Sequence, residues 1–354
     1  MNCPQLRIDL EKFVRNAVHL SELLKGKGIG FHFVTKCFCA YEPMVHALAD
    51  AGFRDFADSR LENLEALKRY ARSALLVRMP MISEASDVVC LADISLNSEL
   101  DTIRALSDAA LAQGRVHGVV LMVELGDLRE GVMPEDVPEI VDRILGLKGV
   151  RLSGVGVNFN CYGGVIPDRE KLERLVGIVR EEQRRHGIEL DCVSGGNSGS
   201  LYLLLNGDMP EGINHLRIGE ALLLGRDTSF GRPIPNLSPD VFSLSCEVIE
   251  CKTKPSLPTG QRGLNAAGEL PCFEDRGMIR RAILAIGGQD VAVSGLGPLI
   301  SGVDFLGNSS DHAIFDVTHA EREVRVGDTL EFSTTYRALN TLFTSKYVHK
   351  KVVV

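Results

Sequence analysis

The chain has 354 residues, 45% hydrophobic and 24% charged, with a net charge of -8. This length exceeds the usual single domain and implies one large domain with a smaller companion, each with enough apolar material for a core. The acidic balance and the lack of any polybasic run exclude a nucleic-acid or anionic-membrane partner, since either needs a basic face to offset phosphate charge.

No apolar stretch approaches the roughly 18 residues of a membrane span, and MNCPQLRIDLEKF lacks a signal-peptide pattern. The nine cysteines are odd in number, form no CxxC pair, and in several cases sit inside apolar runs. That usage suits buried thiols in a reducing compartment, so a cytoplasmic protein without disulfide framework or metal site is expected.

Residues 5–8 form a short strand-like piece, and Asp9 can cap a helix reaching about Leu24, with Phe13, Ala17, Leu20, Leu23 and Leu24 on its apolar face. A regular alternation follows. Strands are predicted at 30–36, 54–59, 74–79, 93–98, 118–125, 152–158, 191–196 and 215–219, with helical patterns at 44–51, 61–70, 83–91, 98–113, 137–147, 169–186 and 201–205. Eight short apolar strands, most of them separated by a helix, predict an α/β fold of the (β/α)8 TIM-barrel kind. A doubly wound open sheet would carry a glycine fingerprint after the first strand, and none is present.

Past Gly225 the texture changes to GRDTSFGRPIPNLSPD, a linker, and then to the strand-like runs VFSLSCEVIEC, IRRAILAIG, HAIFDVT and TLEFSTTY. Residues 1–230 are therefore assigned to the barrel and 231–354 to a C-terminal all-β domain, which residues 1–8 could also join.

Ligands of such barrels sit at the C-terminal ends of the strands, and phosphates are commonly held by the loops after the seventh and eighth. Lys36 ends the apolar run IGFHFVTKCFC and lies at that end of the first strand. After the seventh strand comes Ser194-Gly-Gly-Asn-Ser-Gly-Ser200, whose glycines permit close backbone approach while Asn197 and Ser198 can cap a helix and donate. After the eighth comes Arg217-Ile-Gly-Glu220, with Gly219 able to approach a ligand and Arg217 directed into the barrel mouth. Each feature alone has a plain structural reading: a solvated lysine, a capped turn, a paired arginine. Together they match the needs of pyridoxal phosphate, which requires a lysine for its Schiff base, an anion site, and a partner for its ring nitrogen.

The segments VTKCFCA, FADSRLENL, NHLRIGEALLLGRDTSFGRPIP, GNSSDH and TSKYVHKK resemble the alanine racemase fold group and, within it, ornithine racemase-like proteins, over essentially the whole chain. The resemblance implies a homodimeric, pyridoxal-phosphate-dependent amino acid racemase, with a basic substrate such as ornithine and each site completed by the partner's β-domain. It makes Lys36 the cofactor lysine and one of two proton-transferring bases. Asn197, Ser198 and Gly219 would then surround the phosphate, Arg217 would face the pyridine nitrogen, and Arg129, in Gly126-Asp-Leu-Arg-Glu-Gly131, would lie beside the phenolic oxygen. An arginine opposite the ring nitrogen weakens the ring as an electron sink, which suits a short-lived carbanion and hence racemisation.

The sequence also departs from the alanine racemase pattern. The segment matching the partner's catalytic tyrosine, Lys254-Pro-Ser-Leu-Pro-Thr-Gly260, has no tyrosine; Met122 stands near the place of a carbamylated lysine; and Ala40 replaces a phosphate-contacting tyrosine, with Tyr41 one position away. The second base is expected in the cluster Ser309, Ser310, Asp311 and His312. His312 suits reversible proton transfer near neutrality, and Asp311 could instead hold a cationic side chain; Cys272 and Tyr336 are weaker candidates. Other readings are a racemase of a small neutral amino acid, a metal-dependent lyase like D-threonine aldolase, and a single-barrel cofactor carrier, against which the β-domain argues.

Overall fold

The computed structural model describes residues 3–265, 268 and 270–353. It divides into two compact units: one from Phe13 to Pro239, the other made of the chain up to Lys12 together with the chain from Asp240 onward.

In the first unit, eight strands close into a barrel with every neighbouring pair parallel. Numbering from the N-terminal strand β1 (Gln5–Asp9) of the other unit, they are β2 (Gly30–Val34), β3 (Asp55–Asp58), β4 (Ser73–Leu76), β5 (Ile94–Asn97), β6 (His117–Val123), β7 (Val150–Val157), β8 (Cys192–Asn197) and β9 (His215–Ile218). The expected TIM barrel is therefore present, and each predicted strand matches one of these within a few residues. Strand β6 is buried at every position, as required of a parallel strand with side chains inside the barrel on one face and under helices on the other. Val34, Ala57, Leu75, Leu96, Val120 and Met122 form one buried cluster, so Met122 fills core space.

The helices wrapping the barrel begin with α1 (Leu10–Lys25), α2 (Glu42–Asp50) and α3 (Leu61–Leu67). Local chemistry sets their ends: the helix Arg169–His186 starts where the Asp168 carboxylate accepts from the Lys171 amide at 2.8 Å and stops at Gly187, with φ of 62°. Among the described residues no helix is long and apolar enough to cross a membrane.

The second unit is a sheet built from β1, β10 (Phe242–Pro255), β11 (Met278–Leu284), β12 (Leu296–Pro298), β13 (Asp304–Asn308), β14 (Ala313–Asp316), β15 (Thr329–Thr334) and β16 (His349–Val353). Its main path runs β12-β15-β10-β11-β14-β13, all antiparallel. Strand β1 joins it antiparallel to β10 and parallel to β16. A helix at Tyr336–Thr344 stands where sequence reading expects the end of a strand.

Candidate active site

The barrel brings five of the predicted residues to neighbouring strand ends. Strand β2 stops at Val34, Thr35 is fully buried, and Lys36 is half-buried as the first residue of a 3-10 turn. The chain then turns through Cys39 and Ala40, both non-glycine residues in the left-handed region with φ of 50° and 47°. That conformation costs on the order of 1 kcal/mol per residue, so the turn carrying Lys36 is held by its surroundings. Among the described residues no hydrogen bond or ion pair engages the Lys36 ammonium.

Strand β9 pairs with β2, and Gly219 follows it directly. A Cβ at Gly219 would lie 3.4 Å from Val34 Cβ, which places this backbone against the approach to Lys36. On the other side, Ser198 Oγ accepts from the Gly219 and Ala221 amides, both at 3.2 Å, joining the loops after β8 and β9. Asn197 accepts from the Gly199 amide at 2.7 Å and donates to the Phe159 carbonyl at 2.9 Å and to Asn158 Oδ1 at 3.2 Å. The asparagine is therefore a loop-shaping cap with its amide fully engaged.

Arg217 is buried inside the barrel. Its Nη1 donates to Ser194 Oγ at 2.5 Å, and its Nη2 to the Val157 carbonyl at 2.9 Å and Asn158 Oδ1 at 3.4 Å. None of these partners is a carboxylate. Burial lowers the pKa of the guanidinium, opposed by the Cys192 and Cys161 thiols and Glu130, while Arg129 adds to the lowering.

Arg129 lies in the loop after β6 and pairs with its neighbour Glu130. Burial pushes its pKa down, but Glu130, Cys161 and Asp127 more than offset this and raise it overall. The loop is pinched shut by Val132 donating to the Met122 carbonyl and Glu124 to the Val132 carbonyl. Gly131 is required at the pinch, since its φ is 144° and a Cβ would come within 2.5 Å of the Glu124 nitrogen.

Asp311 and His312 belong to the other unit, at the exposed tip of the β13–β14 hairpin. Ser310 Oγ donates to Asp311 at 2.9 Å, and Gly288 and Gln289 donate to the carbonyls of Ser309 and Ser310 at 2.8 and 3.0 Å. Of the weaker candidates, Cys272 is exposed and Tyr336 opens a helix capped by Thr335. Tyr41 sits half-buried beside the Lys36 turn, its phenol pKa raised by burial.

Sequence reading missed Asn158. Its Oδ1 accepts from Asn197 and Arg217, while its Nδ2 is buried with no acceptor among the described residues. A buried donor without a partner is costly, so an acceptor belongs there. The donor set of ammonium, guanidinium, hydroxyl and orphaned amide fits an anionic, acceptor-bearing group such as pyridoxal phosphate.

A (β/α)8 barrel with this donor set at its strand ends, accompanied by a separate β unit, defines a class of cofactor-dependent enzymes. The model of the alanine racemase N-terminal domain matches residues 8–227, and the chain belongs to that family. An ornithine racemase from Acetoanaerobium sticklandii is 45% identical over 351 residues, 99% of either chain. A lysine racemase from Thermotoga maritima is 40% identical over 349 residues, 98% of either chain. The solved alanine racemase from Bartonella henselae with covalently bound pyridoxal phosphate shares the fold, with a TM-score of 0.72 at 17% identity over 99% of either chain.

Proposed function

We propose that this protein is a pyridoxal-phosphate-dependent racemase of a basic amino acid, interconverting the enantiomers of ornithine or lysine. The observation that carries this is the end-to-end likeness to an ornithine and a lysine racemase at 45% and 40% identity. When bound, the cofactor would supply an electron sink that acidifies the substrate's α C–H bond.

The chain's own residues would do the rest. Lys36, with no carboxylate partner, binds the cofactor covalently and, once released, moves a proton at one face of the substrate carbon. Ser198 would hold the phosphate in a loop shaped by Asn197 and Gly219, Arg129 would hold the phenolic oxygen, and Arg217 would donate to the ring nitrogen. Because a guanidinium donates hydrogen bonds and keeps its proton, Arg217 limits charge build-up on the ring and favours rapid return of the α proton. His312 or Asp311 serves the opposite face, contributed by a partner copy in a cytoplasmic homodimer.

The test is incubation of single enantiomers of ornithine, lysine, arginine, alanine and serine in deuterated water, following optical rotation and α-deuterium incorporation. Racemisation with exchange, fastest for ornithine or lysine, is expected. Exchange fastest for alanine or serine would overturn the substrate assignment, and cleavage products without racemisation would overturn the reaction.

A further inference from the structure

Arg217 is the end of a line of polar side chains inside the barrel. Ser194 Oγ, which receives Arg217 Nη1, lies 3.1 Å from His215 Nδ1; His215 Nε2 lies 2.8 Å from His32 Nδ1; and His32 Nε2 lies 3.0 Å from Ser73 Oγ. The four residues come from strands β8, β9, β2 and β4. We propose that Ser73, His32, His215 and Ser194 form a one-directional hydrogen-bond chain that holds Arg217, making His215 and His32 positioning residues for it.

The direction follows from the donor end. A guanidinium can only donate, so Ser194 Oγ accepts from Arg217 and its own hydrogen must find another acceptor. His215 Nδ1 is that acceptor, which puts the ring proton on Nε2 and points it at His32 Nδ1. His32 then carries its proton on Nε2 and donates to Ser73. Every hydrogen from Arg217 to His32 then has an acceptor in the line. The opposite direction also pairs the ring nitrogens, but it aims two donors at Ser194 Oγ and gives the buried hydroxyl hydrogen none of these acceptors.

The chain requires both rings to be neutral, and their surroundings make them so. Burial lowers the pKa of His32 to about 4, with Arg217 and Arg72 contributing and Asp55 and Asp93 opposing. Burial holds His215 well below the ordinary imidazole value, with His32 and Arg217 adding to the lowering. Protonating either ring would place a donor against a donor and break the line. With Ser194 fixed as acceptor on Nη1 and the Val157 carbonyl on Nη2, the plane of the Arg217 guanidinium is set from beneath. The catalytic consequence rests on the racemase reading, whereas the direction of the chain belongs to the protein itself.

Nitrogen-15 spectra of histidine-labelled protein, with and without pyridoxal phosphate, read the direction. His215 and His32 are expected as Nε2–H tautomers in both states, and a His215 protonated on Nδ1 would overturn the proposal. In the cofactor-loaded enzyme, His215→Leu should lower kcat for α-hydrogen exchange by about tenfold while changing KM by less than about twofold. His215→Asn, whose Oδ1 can still accept from Ser194, should recover most of that loss, and equal losses in the two variants would overturn it. Should the leucine variant not fold, the wild-type tautomers and the asparagine variant decide. Wild-type protein that neither binds the cofactor nor exchanges the α-hydrogen would sink the racemase reading and leave the tautomer result to judge the chain.

Discussion

Thr35 Oγ1 donates to the buried Asp58 carboxylate at 2.5 Å, tying the residue before Lys36 to the end of the neighbouring strand. The other carboxylate oxygen accepts from the Ser59 and Arg60 amides at 2.6 and 3.0 Å and from Asn63 Nδ2 at 2.9 Å, at the start of α3. One side chain thus fixes both the lysine turn and a helix entry. Thr35→Val should cost roughly 1–3 kcal/mol by stranding a buried acceptor, and should slow α-hydrogen exchange by loosening Lys36. Burial raises the Asp58 pKa, although its hydrogen bonds pull the other way. A raised folded-state pKa contributes stability that is fully present below the unfolded value and is lost as pH rises through the folded one. Urea unfolding across that window should therefore show stability declining with pH in the wild type, with a shallower decline in Asp58→Asn.

His117 predicts the opposite slope. It is buried, 2.7 Å from Ser95 Oγ, and burial lowers its pKa from 6.5 to about 4 against the raising effects of Ala92 and Asp93. A depressed folded-state pKa contributes stability that is present above the unfolded value and lost as pH falls through the folded one. Between pH 6.5 and 4 the protein should lose on the order of 3 kcal/mol through this residue. The same unfolding series in His117→Gln should show a correspondingly smaller acid loss.

The barrel was legible because most of its strands are short apolar runs followed by a helix-period pattern. The β unit was less so. Strand β12 takes its partner from beyond two intervening strands, and β1 and β16 pair across almost the full length of the chain, which no local pattern can specify. The helix after β15 was hidden by the β-branched run Thr334-Thr335, although Ala338, Leu339, Leu342 and Phe343 have helical spacing and are its buried face. In the site, Lys36 and Arg217 stood out as lone charges at strand ends. Asn158 and the histidine line did not, because their meaning lies in contacts between strands. The one available signal was His215, two residues before Arg217 and so on the same face of β9.

Lys36→Ala tests the cofactor assignment most directly. With no other partner engaging its ammonium, removal should leave the barrel folded, with an unchanged circular dichroism spectrum and Tm. The visible absorbance of a lysine-bound cofactor should vanish, and α-hydrogen exchange should fall by roughly 10²–10⁴-fold. Retention of that absorbance in the variant would move the covalent attachment elsewhere.

Gly287 offers a test of the hairpin that carries Asp311 and His312 without altering either side chain. A Cβ at this position would come within 2.3 Å of the Ser310 carbonyl oxygen and 2.5 Å of the His312 nitrogen, both backbone atoms that cannot swing aside. Gly287→Ala must therefore push the hairpin tip away from the segment whose Gly288 and Gln289 amides bind it. The β unit should lose roughly 1–3 kcal/mol of stability, as for other overpacked sites. If the tip supplies the second acid–base group, cofactor absorbance should survive while racemisation slows. His312→Asn and Asp311→Asn then separate the two side chains. A residue serving one face of the α-carbon alters exchange unequally for the two enantiomers, whereas one that only holds the substrate side chain raises KM alike for both. Isotope exchange begun from each pure enantiomer reads this difference. Equal rates in all three variants and the wild type would remove the hairpin from the reaction and send the search for the second base to Cys272 and Tyr336.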